Sequence, residues 1–196
     1  MQILYHDPNI AVCIKPVGMD SEHEVPQAIT QQLGGTALAV HRLDKNVGGV
    51  MVYARNSKTA AALSRAIQDG TMVKEYVALV HGTPPETGDW EDLLFKDSAK
   101  NKVFVVKKER KGVKKARLEY VRKTDADPAL VRIRLHTGRS HQIRVQFASR
   151  GFPLVGDGKY GARDGAPAPM LFSCCLTFPL GGKTYRYEAL PDWANE

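Results

Sequence analysis

One carboxylate in this 196-residue chain sits among neighbours that could put it to chemical use. Asp44, in Val40-His41-Arg42-Leu43-Asp44-Lys45-Asn46-Val47-Gly48-Gly49, lies between two cations and ahead of two glycines. Polar residues followed by glycines make a turn leading into the apolar run 50–54, and 49–55 reads as a buried strand. Nearby opposite charges favour the ionised form of an Asp, typically by ~1–3 pKa units. An anion held in this way suits attack on an electrophilic carbon or recognition of a cation. The same residues also describe a turn-capping Asp in a surface ion pair, and this stretch alone leaves both readings open. The histidines offer less. His41, His136 and His141 are scattered, with no H-x-x-x-H or H-E-x-x-H spacing, so no metal ligand set is expected.

The elements that must position Asp44 follow from period and punctuation. Apolar runs at 3–5 and 10–14, parted by Asp7-Pro8-Asn9, predict two strands joined by a turn. Lys15, beside Pro16-Val17-Gly18, reads as a solvent-facing lysine within reach of phosphate. Helices are predicted at 25–33, stopped by Gly34-Gly35, and at 58–69, capped by Ser57 and stopped by Gly70. A strand at 72–81 carries apolar residues on both sides, which places it centrally with Tyr76 pointing inward. Residues 83–88 read as a loop, and runs at 103–106 and 116–121 as a hairpin about Glu109-Arg110-Lys111-Gly112. A strand at 130–135 turns Arg132 and Arg134 outward, a helix at 140–150 sets Ile143 and Phe147 on one face, and strands at 171–178 and 185–189 close the chain. Short turns rather than repeated crossovers join the strands. The expected fold is therefore α+β: a mixed, mainly antiparallel sheet with helices packed on it, in a single domain over 1–196.

Charge narrows the partner. Lys and Arg number 28 against 21 Asp and Glu, a net +7 that favours a polyanion, either nucleic acid or an anionic membrane surface. The densest basic segment is 96–123, where Lys107, Lys108, Arg110, Lys111, Lys114 and Lys115 surround the hairpin tip. No run approaches the ~18 apolar residues of a membrane span, and the first residues lack a signal peptide's basic and apolar regions. Cys13, Cys174 and Cys175 have no C-x-x-C spacing and suggest reduced thiols. A soluble, cytoplasmic protein is expected.

A second stretch, Thr137-Gly138-Arg139-Ser140-His141-Gln142-Ile143-Arg144, runs on to Gly151-Phe152-Pro153-Leu154-Val155-Gly156-Asp157 and Tyr160-Gly161. With His41-Arg42-Leu43-Asp44, Lys74-Glu75-Tyr76 and the opening Asp7 to Gly18 segment, it resembles the RluA-type RNA pseudouridine synthase family over nearly the whole chain. That resemblance implies isomerisation of uridines in ribosomal or transfer RNA, by glycosidic cleavage, rotation of the base and rejoining of C5 to C1′, without cofactor or metal. It implies Asp44, Tyr76 and Arg144 as catalytic residues, with Arg144 pairing the carboxylate and Tyr76 stacking on the flipped base. Arg42 would fill the space the base leaves, and His41, Lys74, Arg139, His141 and Gln142 would join it in binding substrate. A carboxylate beside C1′ can trap or stabilise an oxocarbenium-like centre or take a proton from the sugar, and base extrusion costs a few kcal/mol.

One departure stands out: Val47-Gly48-Gly49 replaces the hydroxyl residues usual after the aspartate, which brings the rigidity of this loop into question. The chain also begins directly at the catalytic segment, so recognition is expected from its own basic surface, without a separate N-terminal RNA-binding domain and as a monomer. The rival reading is a non-catalytic RNA-binding module on the same fold.

Overall fold

Apolar runs that alternate or stay buried on both sides become strands here, and the 3.6-period stretches between them become helices. A computed structural model describes residues 1–194. In chain order its elements are β1 (Gln2–His6), β2 (Ile10–Lys15), α1 (Glu24–Leu33), β3 (Leu38–Ala39), β4 (Gly48–Ala54), α2 (Ser57–Gln68) and β5 (Val73–Val80). These are followed by β6 (Thr87–Asp97), β7 (Lys102–Val106), β8 (Val113–Arg122), β9 (Ala129–Leu135), α3 (Gln142–Ala148), β10 (Leu171–Leu180) and β11 (Lys183–Glu188). The architecture is the expected α+β. The chain falls into two compact units, one of Met1–Glu75 with the chain from Phe172 onward, the other of Tyr76–Leu171.

In the first unit β1, β2 and β4 form an antiparallel row, β10 pairs β4 in parallel, and β11 returns antiparallel to β10. Leu63 and Ala66 of α2 pack on Ile10, Val12, Val50, Val52, Leu176 and Phe178 to make its core. The cap of α2 is Asn56, one residue before the expected Ser57: its side chain accepts from the Thr59 amide at 2.9 Å, while its own backbone is extended. In the second unit the strands pair antiparallel in the order β9, β8, β6, β7. The predicted hairpin is thereby corrected. Strands form at 102–106 and 113–122, but β6 lies between them and pairs with each. Helix α3 is shorter than predicted, because His141 takes a left-handed conformation (φ 51°) and α3 begins only after it. Leu94, Val103 and Ala116 pack against Val145 of α3.

Among the described residues no helix is long and apolar enough to cross a membrane, and no group of three His, Cys, Asp or Glu could hold a metal ion.

Candidate active site

The loop that carries Asp44 runs between β3 and β4 and is tied down from both sides. Lys15, at the end of β2, is 0% exposed rather than solvated, which corrects the sequence reading. Its ammonium donates to the carbonyls of Pro16 (2.8 Å), Lys45 (3.1 Å) and Val47 (2.8 Å), the last two just beyond Asp44 in the chain. A buried charge survives only when its hydrogens find acceptors, and three carbonyls match three N–H groups. Ser21 grips the other flank: its hydroxyl donates to the Leu43 carbonyl at 3.0 Å and accepts the Leu43 amide at 3.3 Å. The Tyr53 hydroxyl donates to the Ser21 carbonyl, and the Val47 amide closes a turn onto the Asp44 carbonyl. Val47 is buried and Gly49 is in the left-handed region, hard against Ser173 of β10. Rigidity that side-chain hydroxyls would supply at 47 and 48 comes here from Lys15, Ser21 and the backbone. Asp44 is half-buried on this loop.

Burial pushes the Lys15 ammonium down to about 8, against the attraction of Asp20, Asp44 and Glu24. The folded chain gives up this proton near pH 8, whereas an unfolded lysine keeps it to about 10.5. Lys15 therefore adds to folded stability as pH rises through that window, and below pH 8 its desolvation cost is felt in full. Lys15→Met, which leaves three carbonyls without their donor, is expected to cost ~2–4 kcal/mol at pH 7. The stability difference between wild type and Lys15→Met, from urea midpoints, should grow from pH 8 to 10; a difference that stays flat with pH would contradict the assignment.

His41 and Lys74 lie in the same unit. The Val52 amide donates to His41 Nε2 at 3.2 Å, so the neutral ring carries its proton on Nδ1. Burial, reinforced by the Lys74 charge, lowers His41 to about 3, and burial lowers Lys74 as well. His41 is thus neutral at physiological pH. Arg42 is exposed and meets Glu22 at 2.7 Å, a surface pair worth only ~0–1 kcal/mol and easily exchanged for another anion.

The second unit builds its own group around α3. Arg144 is buried, and its Nε and Nη2 donate to the two oxygens of Asp157 at 2.7 and 2.8 Å, a bidentate grip that fixes the guanidinium plane. Asp157 is 1% exposed. Its neighbour Tyr160 lies under both Arg144 and Lys102, its hydroxyl accepts the Val103 amide, and it meets His141 Nδ1 at 2.9 Å. Asp157 and Tyr160 lie inside the second motif, where sequence alone assigns them no role; the signal that could have marked Asp157 is that a buried arginine needs a carboxylate. The loop bearing them is pinned by Asp164, which accepts from the Gly156 and Ala166 amides and meets His81 at 2.6 Å. Gln142 is 3% exposed and spends its amide internally, accepting from Thr137 Oγ1 and the Arg139 amide and donating to the Arg117 carbonyl. It holds the turn that presents Arg139, whose exposed guanidinium donates to the Lys115 carbonyl. Tyr76, on β5, is inward as expected, at 6% exposed.

Sequence comparison matches residues 9–149 to a family described as RNA pseudouridylate synthase. An uncharacterized RNA pseudouridine synthase of Aquifex aeolicus is 34% identical over 88% of this chain and 60% of its own length. Ribosomal large subunit pseudouridine synthase D of Borreliella burgdorferi is 30% identical over 94% of this chain and 63% of its own. The chain thus spans about three fifths of the length of these relatives. The solved human RNA Pseudouridylate Synthase Domain Containing 1 superposes with a TM-score of 0.82 over 97% of this chain and 83% of that one, at 22% identity, which speaks for the fold alone.

Proposed function

The chain belongs to the RNA pseudouridylate synthase family, and from that premise we propose that it isomerises specific uridines of ribosomal or transfer RNA to pseudouridine. The N1–C1′ bond breaks, the uracil turns, C5 bonds to C1′, and the proton C5 loses is balanced by the one N1 gains. Asp44 supplies the carboxylate at the sugar, and Tyr76 and Arg144 are the further catalytic residues. The observation that supports this reading is the setting of Asp44: a half-buried residue on a loop fixed on both flanks by Lys15 and Ser21, as electrostatic catalysis by a preorganised group requires. Substrate contacts are assigned to Arg42, His41, Lys74, Arg139 and His141, with Gln142 acting through the turn it holds. Residues 1–196 act as one catalytic domain, in the cytoplasm, as a monomer. Mapping carbodiimide-reactive pseudouridines in RNA from cells with and without the protein tests the reading. A site lost with the gene supports it, and identical maps count against it.

The basic segment supplies sequence-independent affinity. Replacing Lys107, Lys108, Arg110 and Lys111 with alanine should weaken binding of any RNA and flatten the plot of log K against log salt by roughly 0.7–0.9 for each phosphate no longer neutralised. An unchanged slope would remove this surface from the RNA path. Arg42 is assigned to base extrusion: Arg42→Ala should lose much activity on a structured stem-loop and recover part of it where the target uridine is already unpaired. Equal losses on both substrates would argue against that role.

A further inference from the structure

The face of β6, β7 and β8 turned away from α3 carries an arrangement that phosphate binding alone does not use. Phe95 stands opposite Phe104 of β7 and Val113 of β8, so the three side chains share that face. Leu94, Val103 and Ala116, one residue out of step, point to the opposite side with Val145. Phe104 is 37% exposed, on the outermost strand of its unit. One cation lies by each of these two aromatics: the Arg110 guanidinium is 4.4 Å from the Phe95 ring centre, and the Lys102 ammonium, shared with Tyr160, is 5.8 Å from that of Phe104. Beyond them the β7–β8 connection forms a shallow, open hollow lined by Val106, Lys107, Lys108, Glu109 and Arg110.

An exposed aromatic ring among cations fits a ligand with an apolar flat face and negative charge on a flexible backbone. An unpaired nucleotide has both; a duplex offers its phosphates but keeps its base faces stacked. We propose that Phe104 is a stacking platform for an unpaired base of the RNA substrate, with the flanking phosphates taken by Lys107, Lys108 and Lys111. The proposal rests on RNA being the substrate, and adds that the chain distinguishes single-stranded from paired segments at a surface made by β7 and the basic connection.

The test titrates wild type, Phe104→Ala and Phe104→Trp with a short oligouridylate and with an RNA duplex of equal length, across a salt series. Phe104→Ala should bind the single strand about five- to a hundredfold more weakly, the loss typical of one base–aromatic stack. Its salt slope should not change, because no cation is removed. Duplex affinity should move by less than about twofold, and Phe104→Trp should restore single-strand affinity with quenching of the new indole on binding. Equal loss on both RNAs, or no loss on the single strand, overturns the platform. So does a change of oligomeric state in Phe104→Ala with RNA affinity intact, which would make this face a contact between copies. Tritium release from [5-³H]uridine RNA by the same wild-type preparation keeps the two readings apart: release with unaltered Phe104→Ala binding sinks the platform alone, whereas a selective single-strand loss without release sinks the isomerase reading alone.

Discussion

Gly49→Ala should be among the most damaging single changes in the chain, costing more than about 4 kcal/mol and leaving little folded protein. Gly49 sits at φ +131°, where an L side chain is strained, and faces Ser173 across the parallel pairing of β4 with β10. A Cβ there would overlap the backbone carbonyl and nitrogen of Ser173 and stand 2.7 Å from its Cα. Backbone on a neighbouring strand cannot swing aside as a side chain can, so the overlap must part the strands. Because Gly49 follows directly on the Asp44 loop, whatever protein remains folded should have a displaced carboxylate and little activity. Gly48→Ala is the control. Its Cβ would meet the Lys15 carbonyl at 3.1 Å and side chains of Phe172 and Val17 at 3.4 Å, approaches that small shifts relieve. Urea denaturation of the two variants should rank Gly48→Ala well above Gly49→Ala; equal stabilities would contradict the close approach of β4 to β10 at Gly49.

The two glycines read as part of a turn but open strand β4, and the sequence does not show why one of them is irreplaceable, since Ser173 lies far along the chain and only the β4–β10 pairing brings it near. Strands whose apolar residues follow a plain rule, such as β2, β4, β5 and β9, could be read directly. β6 could not. Asp92 stands on its core-facing side and breaks the alternation, and is tolerated because Arg150 and Gln146 reach it at 2.9 and 2.7 Å. With that strand hidden, β7 and β8 looked like partners of each other. Asn56 and Ser57 are both good caps, and only the backbone geometry picks Asn56. Lys15 carried no sequence sign of burial, because its three acceptors are backbone carbonyls, which every residue has. Asp44, Tyr76 and Arg144 are proposed from motifs, whereas the grip of Asp157 on Arg144 and the internal use of Gln142 needed side-chain geometry to be seen.

Asp44→Asn carries the largest expected effect on activity. The substitution keeps the size and much of the hydrogen-bonding shape of the side chain but removes the anion, and loss of a group acting directly at the reacting carbon typically costs on the order of 10⁴-fold or more. Lys15 and Ser21 hold the loop through the carbonyls of Leu43, Lys45 and Val47, so the fold around residue 44 should persist. RNA affinity should persist too. On the proposed function it rests on the cationic surface of a chain with net charge +7, and removing one negative charge should leave attraction to phosphate equal or slightly stronger. The direct measurement is tritium release from [5-³H]uridine-labelled RNA, since forming the C5–C1′ bond expels the C5 hydrogen, with a filter-binding titration on the same RNA. The account predicts release by wild type, background release by Asp44→Asn, and equal affinities. Substantial release by Asp44→Asn would contradict the assignment of Asp44, and no release by wild type on any cellular RNA fraction would make the chain a binding module on this fold.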